Sequence, residues 1–290
     1  MRIQRREFLA GALLRGPASA AGTAEPIREG LPLEGIDIVD MHGHFGPAPE
    51  GAIWPHALAA VLEDYDRCGI RKAVLSHFDA IGATSAADFR QATAESAEAV
   101  RAHRDRLRAH LVFHPAFLKE SLAAMADTAR PASPFIGFKL HTELHRHEPG
   151  SPSYQELYRF AHDNAMPVLV HVGSNVREWI PAAQRIAKGH PKMPLVIAHL
   201  GGGEEQTLAL FGANLPNLFV DTCGSFGAHR MIERLVAKVG AERILFATDG
   251  GYLSPGAQLA RIAFADISEA AKRAILGGNA KQVYGRRLPE

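Results

Sequence analysis

The sequence is short of charge imbalance and of cysteine. Across 290 residues, 32 Lys and Arg meet 31 Asp and Glu, a formal net charge of +1. No basic stripe with interleaved aromatics is present, so the electrostatic footprint of a nucleic-acid binder is missing. Cys68 and Cys223 are the two cysteines, too few for a disulfide framework. They fall at the end of an expected helix and of an expected strand, at opposite ends of the layout below, so no bridge is expected between them. No apolar run reaches about 18 residues, which argues against a spanning helix. The turn "MHGHFGPAPEG" after the first expected strand lacks the glycine spacing of a dinucleotide-binding loop. Past residue 30 there is no low-complexity segment.

The first 30 residues differ from the rest. "QRREFLAGALL" pairs Arg5 with Arg6 ahead of Phe8, Leu9 and a short apolar stretch, and Ala18-Ser19-Ala20 offers a cleavage site. The segment resembles a twin-arginine export signal, an address rather than structure. It implies a periplasmic protein; the alternative is a basic tail on a cytoplasmic one. The folded domain is expected over residues 31–290.

What the chain has is apolar material and histidine. At 47% hydrophobic residues, one large core is affordable. Eight strand-like runs alternate with amphipathic stretches: 35–42, 72–78, 107–113, 135–141, 167–173, 194–201, 217–224 and 243–250. In "HRMIERLVAKVG", Met231, Leu235 and Val239 recur at helical spacing. Gly69, Asn164 and Gly240 close expected helices. Eight such units predict a single-domain (β/α)8 barrel, a TIM barrel, over an open doubly wound sheet. "HTELHRHEPGSPSY" (141–154) is expected as a long polar loop on the catalytic face.

The 15 histidines concentrate at the C-terminal ends of these runs, where barrel enzymes place their chemistry. The first run ends Asp40-Met41-His42-Gly43-His44. Others reach His77, His114, Lys139 and His141, His171, His199 and Asp249. Residues at i and i+2 share a strand face, so His42 and His44 should both point into the mouth, with Gly43 leaving room for a close ligand. His42, His44, His171 and Asp249 would give three imidazoles and a carboxylate, a donor set suited to a catalytic metal at the C-terminal face. A His-x-His pair alone is weak, but a chance origin must also explain the other strand ends.

"DMHGHFG", "VLVHVG", "IAHLGGG", "FATDG" and "ILGGNAKQVYG" together resemble the amidohydrolase superfamily, in its amidohydrolase-related branch of metal-dependent hydrolases, lactonases and non-oxidative decarboxylases. The resemblance spans about residues 36–285. It implies one divalent metal, zinc first, with manganese or iron(II) as alternatives, on His42, His44, His171 and Asp249, and His199 beside it. A second metal bridged by carbamylated Lys139 is the less favoured arrangement. The pattern departs from the family at Ala247-Thr248-Asp249-Gly250-Gly251-Tyr252, where Gly-Ser/Thr-Asp is usual.

The leading expectation is a metal-dependent hydrolase. A bound divalent cation brings the pKa of water to about 7; Asp249 would be the general base, His199 an oxyanion partner, and a lactone, amide or ester of a small molecule the substrate. The alternative is non-oxidative decarboxylation of an aromatic or unsaturated carboxylic acid, with Asp249 or His199 as proton donor. Lys139, His141, His77, His114 and Arg177 are candidate substrate contacts. A barrel without catalysis is a third reading, disfavoured by the complete ligand set. A homodimer is the expected assembly.

Overall fold

The computed structural model describes residues 22–28, 33, 35–47, 57–171, 176–224 and 228–289. The N-terminal segment that resembles an export signal lies outside them, as does the side chain of Arg177. Among the described residues no helix is long and apolar enough to cross a membrane.

Eight parallel strands follow one another in chain order: β1 (Val39–Phe45), β2 (Lys72–His77), β3 (Leu107–Val112), β4 (Phe135–His141), β5 (Val168–His171), β6 (Leu195–Ile197), β7 (Leu218–Asp221) and β8 (Ile244–Leu245). The chain past β8 closes the ring on β1. Met41 N–H donates to Phe246 O (3.2 Å), Asp249 N–H to His42 O (2.8 Å) and His44 N–H to Gly250 O (2.7 Å). The result is the expected (β/α)8 barrel.

The strands are apolar on both faces because both are covered. Val39, Val74, Ile136, Leu169, Val196 and Leu245 pack together in the interior. Their strand neighbours, such as Leu75, Phe138 and Val170, pack outward on the helices. Val283 and Tyr284 of the helix Asn279–Tyr284 join the interior cluster, and Tyr284 Oη lies 2.7 Å from His110 Nε2.

The last four strands are shorter than their apolar runs. β6 ends before His199 and β8 before Asp249, and at both residues the backbone turns left-handed, with φ of 56°. That region is uncommon for residues with a Cβ and concentrates at functional sites. The 141–154 segment is not a plain loop. It holds the short helix Thr142–His145, capped by the His141 ring, and a 3₁₀ turn Pro152–Tyr154, capped by Ser151. Both cysteines are free.

Candidate active site

The site begins with a defect in β1. Asp40 pairs with Ala73 and Gly43 with Leu75, so β1 carries one extra residue opposite β2. Such a bulge re-aims side chains. Met41 stays in the barrel interior, Asp40 turns outward, and His42 and His44 face each other with Nε2 atoms 3.2 Å apart. Both are buried.

Hydrogen bonds at the far nitrogens decide what these rings offer. His42 Nδ1 donates to Asp221 Oδ2 (2.8 Å), and His44 Nδ1 donates to the Ser76 carbonyl (3.3 Å). Each ring then turns an Nε2 lone pair inward, as partnered metal-ligating histidines do. Asp249 Oδ1 lies 3.1 Å from His44 Nε2 and 3.6 Å from His42 Nε2. The ligand atoms of His42, His44 and Asp249 fall within 4.8 Å of one another. Two converging imidazole lone pairs and a carboxylate fit a divalent cation. Burial holds both imidazoles below their ordinary pKa. Burial acts to raise Asp249, but the His44, His42 and His199 rings around it outweigh that, so the carboxyl stays well below the usual range.

Lys139, on β4, reaches the same place. Its Nζ lies 2.5 Å from His42 Nε2 and is wholly buried. Burial pulls its pKa down to about 8, with Asp249 and Asp221 opposing.

Behind the cluster, Asp40 ties β1 to the chain after β8. It accepts from His42 N–H (3.0 Å), Thr248 N–H (3.0 Å), the Thr248 hydroxyl and Tyr65 Oη (2.5 Å). Burial raises its pKa to about 6 against those hydrogen bonds. Gly43 therefore serves differently from the sequence reading. A Cβ there would strike the Tyr65 hydroxyl and Leu75, and one on Gly250 would strike the same hydroxyl. The two glycines admit Tyr65 to Asp40 behind the site; the space is not for a ligand.

The other candidates lie farther round. His171 is half-buried at the end of β5, with Nδ1 3.0 Å from His199 Nε2 and Nε2 3.8 Å from a Glu143 carboxylate oxygen. It stacks on His141 with ring centroids 3.8 Å apart. His199 N–H donates to Asp221 Oδ1 (2.8 Å). His77 does not line the mouth: it continues the outward parity of Ala73 and Leu75, accepts from Asp79 N–H (3.2 Å) and lies 3.1 Å from Glu95 Oε2. His114 caps a 3₁₀ turn through Ala116 N–H (3.3 Å), packs on His145 and is lowered by burial to about 4.

Asp221 and Cys223 escaped the sequence reading. Both belong to the seventh run, which ends without a histidine. Their signal was the i, i+2 spacing of two donor side chains at a strand end, the pattern that exposed His42 and His44.

Comparison with known proteins places this geometry in a family. The model of the family described as Amidohydrolase matches residues 39–286. Among curated proteins, none matches. Several solved structures share the fold. The 2,6-dihydroxybenzoate decarboxylase from Rhizobium is 16% identical with a TM-score of 0.70, over 86% of this chain and 98% of that one. The 5-carboxyvanillate decarboxylase from Sphingomonas paucimobilis is 14% identical, TM-score 0.65, over 86% and 99%. A dihydroxybenzoic acid decarboxylase from Polaromonas sp. JS666, with bound manganese and 2-nitroresorcinol, is 17% identical, TM-score 0.67, over 86% and 97%. With a family match over residues 39–286, nearly the whole barrel, the chain belongs to the amidohydrolase family.

Proposed function

We propose that the chain is a metal-dependent non-oxidative decarboxylase of a small aromatic or unsaturated carboxylic acid bearing a hydroxyl beside its carboxylate. Lys139 carries the reading. Its buried Nζ, 2.5 Å from His42 Nε2, puts a cationic group among imidazoles that burial keeps neutral. Such a site suits an anion better than an uncharged ester. Phe78 adds a flat wall, stacked on His44 at 4.6 Å between centroids. The decarboxylases that share the fold support the same substrate class.

His42, His44 and Asp249 would hold the cation, with His171 as the further imidazole on the rim. Manganese, zinc and iron(II) all suit nitrogen and carboxylate donors. When bound, the ion supplies Lewis-acid polarisation of substrate oxygens. Lys139 pairs with the substrate carboxylate and orients it. Asp249, ionised at rest, takes the proton of the neighbouring hydroxyl and delivers it to the carbon that bears the carboxylate. The carbon–carboxylate bond breaks, carbon dioxide leaves, and solvent returns the one proton the net reaction consumes. His199 is the alternative donor.

Hydrolysis of a lactone, amide or ester is the second reading. It is favoured by Asp249, whose Oδ1 beside both Nε2 atoms is placed to take a proton from water. The test is a panel of hydroxybenzoates, hydroxylated dienoic acids, lactones and esters given to metal-loaded protein, with carbon dioxide and acid release both followed. We expect carbon dioxide from a hydroxylated acid, reduced at least about 10²-fold in Lys139→Met. Lactone or ester turnover with no carbon dioxide from any acid would replace this reading with the second.

A further inference from the structure

A second set of donors converges on the opposite nitrogen of His42. Cys223 Sγ lies 3.4 Å from His42 Nδ1, 3.3 Å from His199 Nδ1 and 3.2 Å from Asp221 Oδ1. Asp221 Oδ2 is 2.8 Å from His42 Nδ1. His42, His199 and Cys223 bring their ligand atoms within 4.8 Å of one another, and Cys223, His42 and Asp221 are wholly buried. The thiol donates its one proton to Asp221 Oδ1, and the His42 and His199 Nδ1 atoms pack on the same sulfur beside it.

The two nitrogen–sulfur spacings match a coordination shell, while the Asp221 contacts, at 3.2 and 2.8 Å, are of hydrogen-bond length and must open for an ion. Zinc–sulfur and zinc–nitrogen bonds of about 2.3 and 2.0–2.1 Å at tetrahedral angles set a nitrogen–sulfur edge of about 3.5 Å. The two observed edges are 3.4 and 3.3 Å.

We propose that Cys223, His199, Asp221 and the Nδ1 side of His42 form an inner site for a thiophilic divalent cation, zinc or cadmium, distinct from the outer cluster on the Nε2 side. The entering ion displaces two protons, one from Cys223 Sγ and one from His42 Nδ1, since a coordinating thiol is deprotonated. Thiolate, Asp221 carboxylate and the imidazolate of His42 carry three negative charges, which the inner ion and the cation on the Nε2 side of His42 share. Oxygen-seeking ions such as manganese and magnesium have no comparable preference for sulfur, so they leave the inner site to softer ions. Inner occupancy also takes Asp221 from His42 Nδ1, the bond that fixes that ring, and from the backbone N–H of His199. A thiophilic ion in excess therefore inhibits the protein loaded with manganese.

The test is titration of the manganese-loaded full chain with cadmium chloride, reading the sulfur-to-cadmium charge-transfer absorption in the ultraviolet. Cys68→Ala leaves Cys223 as the one thiol without touching either cluster. It should keep the band, saturating at one cadmium per chain. Cys223→Ser should lose it. A band that survives Cys223→Ser, or that disappears in Cys68→Ala, would assign the ion to Cys68 and overturn the inner site. So would the absence of a band from the unsubstituted chain. Because Cys68→Ala decides the matter alone, a Cys223 variant that fails to fold leaves the proposal exposed to refutation. The readout involves no substrate and is independent of the decarboxylase reading.

Discussion

Two arcs of the barrel mouth use histidine in opposite ways. On the β8–β1 arc, His42 and His44 donate from Nδ1, to Asp221 and to the Ser76 carbonyl. The proton sits on the far nitrogen and the lone pair faces the cavity. On the β2–β4 arc, His77, His114 and His141 accept at Nδ1, from Asp79, Ala116 and Leu144 N–H. Their proton must sit on Nε2, which makes those rings helix caps and poor ligands. The difference lies in the partner of one nitrogen: a carbonyl or carboxylate behind the ring frees a ligand atom, and a backbone N–H consumes one.

Asp249 gives the sharpest break of this contrast. Asp249→Ala removes the carboxylate of the outer cluster, so cation content should fall together with turnover, the latter by about 10²–10⁴-fold. The melting transition should persist, since Asp249 supports no core packing. His141→Ala, on the capping arc, should keep the full cation content. Elemental analysis and steady-state rates on both variants check this. Equal cation loss in the two would dissolve the distinction.

Asp40 tests the support behind the ligand arc. It accepts four hydrogen bonds while buried, so Asp40→Ala strands those donors and should cost on the order of 3 kcal/mol in chemical denaturation. Its titration has a definite sign. The folded carboxyl sits at about 6 against an ordinary 3.8, so between those values the native state binds more protons than the unfolded one. Stability therefore falls as pH rises from about 4 to about 6 and levels beyond. Asp40→Asn should flatten that slope. An unchanged slope would locate the titration elsewhere.

Much of this was legible in the chain. The eight runs and the His42/His44 pair follow from period-two alternation and apolar continuity, which a barrel imposes on every strand. Asp249 was legible for the same reason, although its strand proved far shorter than the run containing it. The role of Gly43 was not, because it depends on Tyr65 arriving from the helix Leu58–Cys68. The bulge that turns Asp40 away from His42 has no local signature either. His77 and His114 look like His171 in sequence, each closing an apolar run. What separates them is whether the chain next turns into a helix whose N–H groups need an acceptor, and that is settled by the tertiary path.

The smallest expected effect falls on His77. It caps the helix Phe78–Ile81 and lies 3.1 Å from Glu95 Oε2, on the helix-facing side of β2. Asparagine is a good cap and retains the bond to Asp79 N–H, while the partner lost, Glu95, is 40% exposed and contributes little. His77→Asn should then change the free energy of unfolding by no more than about 1 kcal/mol. Turnover and cation content should stay within about twofold, as for substitutions remote from a site. The two arcs make opposite forecasts for one residue type, so this variant carries more weight than its size suggests. A fall in turnover with the stability intact would mean that a capping histidine also reaches the substrate, and the partner of Nδ1 would no longer sort the rings by function.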